Sequence, residues 1–180
     1  MHEYSRREIL GSSTVLAAFA TIGATAPVMS VGKGGLSMAV RIAVSQEIDR
    51  PVPVVFKFYA DEYVRNHPRW NPAIQLWRDS DEPIGLGTII QRRNSRGYGG
   101  TPVEGTMEIV EYEPNRAFGA VIREGGMEVH GRTTFEEVSE GRTRITVAAD
   151  MPIDESMKDR MTGMIQGSIQ NLKELIEAET

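Results

Sequence analysis

The chain has 180 residues, 40% of them hydrophobic and 25% charged, with a formal net charge of −5. That length suits one core plus an address segment, and the acidic balance argues against a nucleic-acid partner held through phosphates. The absence of cysteine excludes disulfides, thiolate metal sites and cysteine nucleophiles.

The opening segment differs from the rest. Ser5-Arg6-Arg7-Glu8-Ile9-Leu10 precedes a mildly apolar run from Val15 to Ala26. The run is shorter than the roughly 20 residues of a membrane span. Adjacent arginines before a short apolar stretch have the shape of a twin-arginine export signal. Val31-Gly32-Lys33-Gly34-Gly35 then reads as a flexible linker. We therefore expect residues 1–37 to be leader and linker, 38–180 to be one domain, and the mature chain to be exported without a stable membrane span. Glu3 and Glu8 offset the arginines, and Pro27 follows the Ala24-Thr25-Ala26 cleavage candidate. If Met38 is the true start, the protein is cytoplasmic.

From Met38 to Ile48 apolar and polar residues alternate, as in a half-buried strand. Asp49-Arg50-Pro51 opens a short helix with Val54, Val55, Phe58 and Tyr59 on one face. A second short helix from Asp61 reaches Asn66, and the chain is expected to break at His67-Pro68-Arg69-Trp70-Asn71-Pro72. Six strand-like runs follow: Ile74 to Asp79, Leu86 to Asn94, Val103 to Tyr112, Ala117 to Arg123, Met127 to Val138, and Arg142 to Met151. Their short separators imply antiparallel neighbours. After Pro152, a proline-free run from Glu155 to Ala178 carries apolar residues at helical spacing and would extend about 36 Å.

One long helix cannot cover the whole concave face of a twisted seven-stranded sheet. A hollow is expected near its beginning, where Met157, Met161 and Met164 lie and where Gly163, Gly167 and Ser168 leave space.

Several strings, in this order and spacing, carry a family resemblance. They are Ile48-Asp49-Arg50-Pro51 with Val55-Phe56, Pro68 to Ile74, Tyr112-Glu113-Pro114-Asn115-Arg116, Gly131 to Glu136 with Gly141 to Thr146, and Ser168 to Lys173. Together they resemble the SRPBCC or START/Bet v 1-like helix-grip superfamily, in its bacterial polyketide cyclase/dehydrase and lipid-transport branch. The resemblance implies an α+β helix-grip fold: a seven-stranded curved antiparallel sheet wrapped around a long C-terminal helix, with two short helices after the first strand. It also implies a hydrophobic ligand cavity beneath that helix. The superfamily holds lipid carriers, quinone binders, aromatic-ring cyclases and chaperone modulators, so fold alone does not settle function.

Candidate residues follow from chemistry and position. His67 and His130 are far apart in the chain and have no cysteine nearby, so no metal site is expected. A cavity-facing His130 would be the weak catalytic candidate, able to move a proton in an enolisation or dehydration. His67 reads as a solvated loop residue. Trp70, Trp77, Phe118, Phe135, Met157, Met161 and Met164 are candidates for the ligand lining, and Tyr98 in Gly97-Tyr98-Gly99-Gly100 is a candidate lid. Arg92, Arg93 and Arg96 read as a solvated strand end beside that lid. No serine-nucleophile elbow is present, and no cofactor is expected.

These residues favour binding or carriage of a hydrophobic small molecule: a lipid, an isoprenoid or an aromatic compound. The alternatives are a polyketide cyclase or dehydratase acting mainly by shape, and an interaction module without a small ligand. A monomer is the default for this layout.

Overall fold

The computed structural model describes residues 39–97 and 100–179. The leader and linker, and Tyr98, lie outside the described residues. Seven strands form one antiparallel sheet in the spatial order β1-β7-β6-β5-β4-β3-β2. They are β1 (Val40–Ile48), β2 (Ile74–Trp77), β3 (Ile89–Asn94), β4 (Val103–Glu113), β5 (Ala117–Glu124), β6 (Met127–Ser139) and β7 (Arg142–Met151). Strands β2 to β7 run as a meander, because the turns between them are too short for anything but antiparallel return. β1 closes the other edge by pairing with β7 from Val40 opposite Met151 to Ile48 opposite Thr143.

Alternation decides the faces. Val40, Ile42, Val44 and Ile48 of β1 are buried, as are Thr143, Ile145 and Met151 of β7. Residues of the opposite parity carry cross-strand ion pairs on the outer face, such as Arg132 with Glu111 and Arg123 with Glu108 and Glu128.

Between β1 and β2 run α1 (Val52–Phe56), a π-turn (Lys57–Asp61) and α2 (Tyr63–Trp70). The amide of Glu62 donates to the Lys57 carbonyl at 3.0 Å, the wider i to i+5 bond of a π-turn. Contrary to the sequence expectation, α2 does not stop at Asn66 but runs through Pro68 to Trp70. The lost backbone donor at Pro68 costs one hydrogen bond near the helix end. Buried Asn66 and Trp70 anchor the segment, and Asn66 Nδ2 donates to the Phe58 carbonyl at 3.0 Å. Strand β2 is shorter than expected and β3 starts later, leaving residues 78–88 as an irregular connection.

The last element is α3 (Lys158–Glu179), preceded by a 3-10 turn (Glu155–Met157). Its second half is fixed tightly. Ile169, Leu172 and Ile176 are buried against the core, and Lys173 Nζ donates to the Glu47 carbonyl at 2.9 Å. Asn171 Nδ2 donates to the Trp70 carbonyl at 3.2 Å, and the Asp49 amide donates to Glu177 at 2.8 Å. The first half is looser: Met157, Met161 and Ile165 are half-buried, while Gly163, Met164 and Gly167 are exposed. A Cβ at either glycine would meet no neighbouring atom within 4 Å. Contrary to the sequence expectation that they leave space beneath the helix, these glycines lie on its exposed side. No described helix is long and apolar enough to cross a membrane.

Leu172→Ala should cost about 2–5 kcal/mol in urea unfolding, whereas Gly163→Ala should stabilise by roughly 0.5–1 kcal/mol. A near-neutral Leu172→Ala would contradict the assignment of the second half of α3 as the anchored half.

Candidate functional site

The inner face of the sheet meets the helices through an aromatic wall. From the π-turn onward, Tyr59, Tyr63, His67 and Trp70 recur at spacings of three or four, which brings them to one side. Tyr59 stacks on Trp70 with ring centroids 5.6 Å apart, and Tyr63 lies 5.3 Å from Phe118. Tyr59 also meets Phe135 edge-on at 5.5 Å, and its hydroxyl bonds to that of Thr133 at 2.8 Å. Burial pushes the Tyr59 phenol up to about 12, and burial likewise raises that of Tyr63. Both are neutral hydroxyls at any ordinary pH.

A polar row crosses the same inner face. Strand register places Leu76, Arg92, Gly105, Glu124 and Met127 side by side on β2, β3, β4, β5 and β6. Arg92 and Glu124 are buried, with Arg92 Nε 3.1 Å from Glu124 Oε2. Gly105 lies between them. A Cβ there would sit 2.1 Å from the Arg123 carbonyl oxygen and 2.5 Å from Glu124 Cβ, so this close crossing admits only glycine. Glu124 Oε1 accepts from Asn94 Nδ2 at 3.3 Å. Arg92 Nε and Glu124 Oε2 face each other as an ion pair without a well-directed hydrogen bond, and His67 Nδ1 is buried with no hydrogen-bond partner among the described residues.

His67 is therefore neither in a loop nor solvated. Its ring lies 4.8 Å from that of Tyr63 and 4.9 Å from that of Trp70. Burial, reinforced by the Arg92 charge, lowers its pKa to about 3. Arg92 is also not part of a solvated end: Arg93 and Arg96 are exposed, but Arg92 turns inward.

Beside the polar row lie apolar residues that the core does not fully enclose. Ile122, Met127, Val147 and Ala149 on the sheet and Met157, Met161 and Ile165 on α3 are only partly buried. Gly131 belongs to the same inner face, and a Cβ there would meet only the Ala120 carbonyl oxygen, at 3.9 Å. These residues pack against the core while remaining partly accessible.

The residues expected to line a ligand divide by face. Trp70, Phe118 and Phe135 come together in the aromatic wall and are packed as core. Met157 and Met161 sit on the inner side of α3, whereas Met164 is exposed. Trp77 is also exposed, because Leu76 takes the inward parity of β2. His130 does not face the inner side of the sheet. It alternates with buried Val129, and its Nε2 lies 2.8 Å from Glu128 Oε1 on the outer face. Two open depressions occur elsewhere: one of about 540 Å³ along Arg78 to Gln91, and one of about 310 Å³ around Arg116 and Arg132. Neither is lined by α3.

Sequence reasoning missed Arg92, Glu124 and His67. The available signal was parity, since two adjacent arginines within one strand must point to opposite faces.

Neutral His67 makes stability depend on pH. Its folded pKa of about 3 lies below the usual 6.5, so the unfolded chain takes up a proton that the folded chain resists. The contribution is complete above about pH 6.5 and is lost as pH falls toward about 3. Between about pH 6 and pH 4 the urea midpoint of the wild type should fall more steeply than that of His67→Gln. Parallel curves would contradict this placement of the imidazole.

Comparisons with known proteins agree with this architecture. Residues 39–177 match the family described as polyketide cyclase / dehydrase and lipid transport. No curated protein matches the chain. Among solved structures, Ara h 8.0201 is similar at 15% identity and a TM-score of 0.62, over 78% of this chain and 99% of its own. Norcoclaurine synthase from Thalictrum flavum, in complex with dopamine and hydroxybenzaldehyde, is similar at 12% identity and a TM-score of 0.60, over 87% and 99%. DynU16, from the dynemicin biosynthetic locus, is similar at 18% identity and a TM-score of 0.59, over 76% of this chain; the match spans only 47% of DynU16. At these identities the structural likeness establishes the shared fold. With an antiparallel sheet gripping a C-terminal helix and a family match across nearly the whole described region, the chain belongs to the polyketide cyclase / dehydrase and lipid transport family.

Proposed function

We propose that the protein binds and carries a hydrophobic small molecule between the sheet and the first half of α3. The observation that carries this reading is the pair of partly buried apolar surfaces there. Ile122, Met127, Val147 and Ala149 belong to one, and Met157, Met161 and Ile165 to the other. Partly covered apolar area of this kind gains from a ligand that displaces water. About 200 Å² removed at roughly 25 cal/mol per Å² contributes about 5 kcal/mol, from which the entropy of association subtracts. Methionines suit such a surface because their flexible side chains adapt to ligand shape.

The cyclase or dehydratase alternative has less support. Its acid/base candidate, His130, points away from the inner face and is bound to Glu128. His67, although inside, is held neutral with a pKa of about 3, far from the value a general base needs at neutral pH.

Native mass spectrometry of the purified protein should reveal a co-purifying hydrophobic adduct. In Gly131→Leu, whose added side chain would occupy the open space, that adduct should be lost while cooperative unfolding is retained. A wild type that carries no adduct and takes up no alkyl or aryl probe would overturn the carrier reading.

A further inference from the structure

The two edges of the sheet are finished differently. β1, at one edge, carries Arg41 and Glu47, and Lys173 of α3 donates to the Glu47 carbonyl at 2.9 Å. β2, at the other, reads Ile74-Gln75-Leu76-Trp77, and no strand lies beyond it. Charges and prolines are the usual protection of an edge strand, and β2 has neither.

Register decides which backbone groups of β2 face outward. Gln75 and Trp77 stand opposite Arg93 and Gln91, and the Ser95 amide donates to the Ala73 carbonyl at 2.8 Å. Ladder hydrogen bonds recur at every second residue, so Gln75 and Trp77 turn their amides and carbonyls to β3. The peptide plane points N–H and C=O in opposite directions. The Ile74 carbonyl, both backbone groups of Leu76 and the Arg78 amide therefore point away from the sheet, and no hydrogen bond among the described residues takes them up. The Ile74 amide is already engaged, donating to the Asn71 carbonyl at 3.0 Å. The edge thus offers an acceptor at one end, a donor at the other and one of each between. Such a set is complementary to itself under a two-fold axis at Leu76.

The side chains follow the same symmetry. Trp77 and Ile89 are exposed neighbours on the outer face. Asp79, Asp81 and Glu82 follow one end of β2, while Arg93 and Arg96 stand beside the other. None of these charged groups makes an ion pair among the described residues. Antiparallel pairing with a second β2 lays the acidic end of each copy beside the basic end of the other. Any extended peptide could meet the backbone groups, but the opposite charges at the two ends select a second copy over an unrelated strand.

We propose that two copies of this chain join edge to edge through β2, antiparallel about a two-fold axis at Leu76, so that their sheets become continuous. The Leu76 amides and carbonyls bond reciprocally, and each Arg78 amide donates to the Ile74 carbonyl of the other copy. Gln75 stands opposite Trp77 of the other copy, which sets the two indoles diagonal to each other, within reach of aromatic contact. Asp79 comes two strands away from the stretch between Arg93 and Arg96 of the other copy, roughly 10 Å between backbones and within the combined reach of the side chains.

Sedimentation equilibrium of the full chain tests the pairing. Wild type should approach twice the chain mass at about 100 µM. Trp77→Lys, which places a charge on the exposed face of the edge, should weaken the dimer about tenfold. Arg93→Glu/Arg96→Glu and Asp79→Lys/Asp81→Lys should each weaken it about tenfold when alone. An equimolar mixture of these two variants should return to within about threefold of wild type, because each copy then meets opposite charge at both ends. Urea unfolding checks that the variants are folded, and Trp77→Lys decides the matter should the charge variants not be. A wild type that stays monomeric at that concentration, a dimer unmoved by Trp77→Lys, or a mixture of folded charge variants no tighter than its components would overturn the proposal.

Discussion

The second half of α3 is clamped, and much of the molecule follows from that. Ile169, Leu172 and Ile176 are buried in the core, while hydrogen bonds from Lys173 and Asn171 and to Glu177 tie the same stretch to β1, α2 and the segment between them. Met157, Met161 and Ile165 of the first half are only partly buried, although they belong to the apolar side of the helix. From the π-turn and α2, Tyr59, Tyr63 and Trp70 fill the inner face near the clamp, Tyr59 stacked on Trp70 and Tyr63 edge-on to it. Burial is thus deeper along the second half of α3 than along the first.

The inner polar row is the second constraint. An ion pair on the buried face of a sheet needs the two side chains to meet across the strand between them. Gly105 allows this, since any side chain there would collide with the backbone of β5. Burial sets the state of the surrounding groups, and at His67 the Arg92 charge adds to it. His67 stays neutral beside Arg92, and the two buried tyrosines keep their protons.

Strand order, antiparallel pairing and the long last helix were legible because each is a local periodic pattern bounded by turn residues. The run through Pro68 was not, because its cost of one hydrogen bond is outweighed by tertiary anchoring of Asn66 and Trp70 that no local pattern reveals. Arg92 was hidden for a related reason. Beside Arg93 and Arg96 it resembles a solvated strand end, and Glu124 becomes its partner only through two strand registers. The facing of His130 was available from parity, because Val129 takes the buried side and Glu128 shares the outer one. Trp77 follows the same rule, with Leu76 the inward residue. Large size and apolar character marked Trp70, Phe118 and Phe135, but could not separate packed wall from open lining.

The most direct measurement of the proposed binding surface is methyl NMR on protein labelled at methionine, titrated with a hydrophobic small molecule such as a medium-chain alkane or arene. Met127, Met157 and Met161 are partly buried, whereas Met107 and Met151 are buried in the core. The account predicts that the first three methyl signals shift with ligand while the latter two hold their positions. Saturating ligand that leaves Met127, Met157 and Met161 unmoved would contradict it.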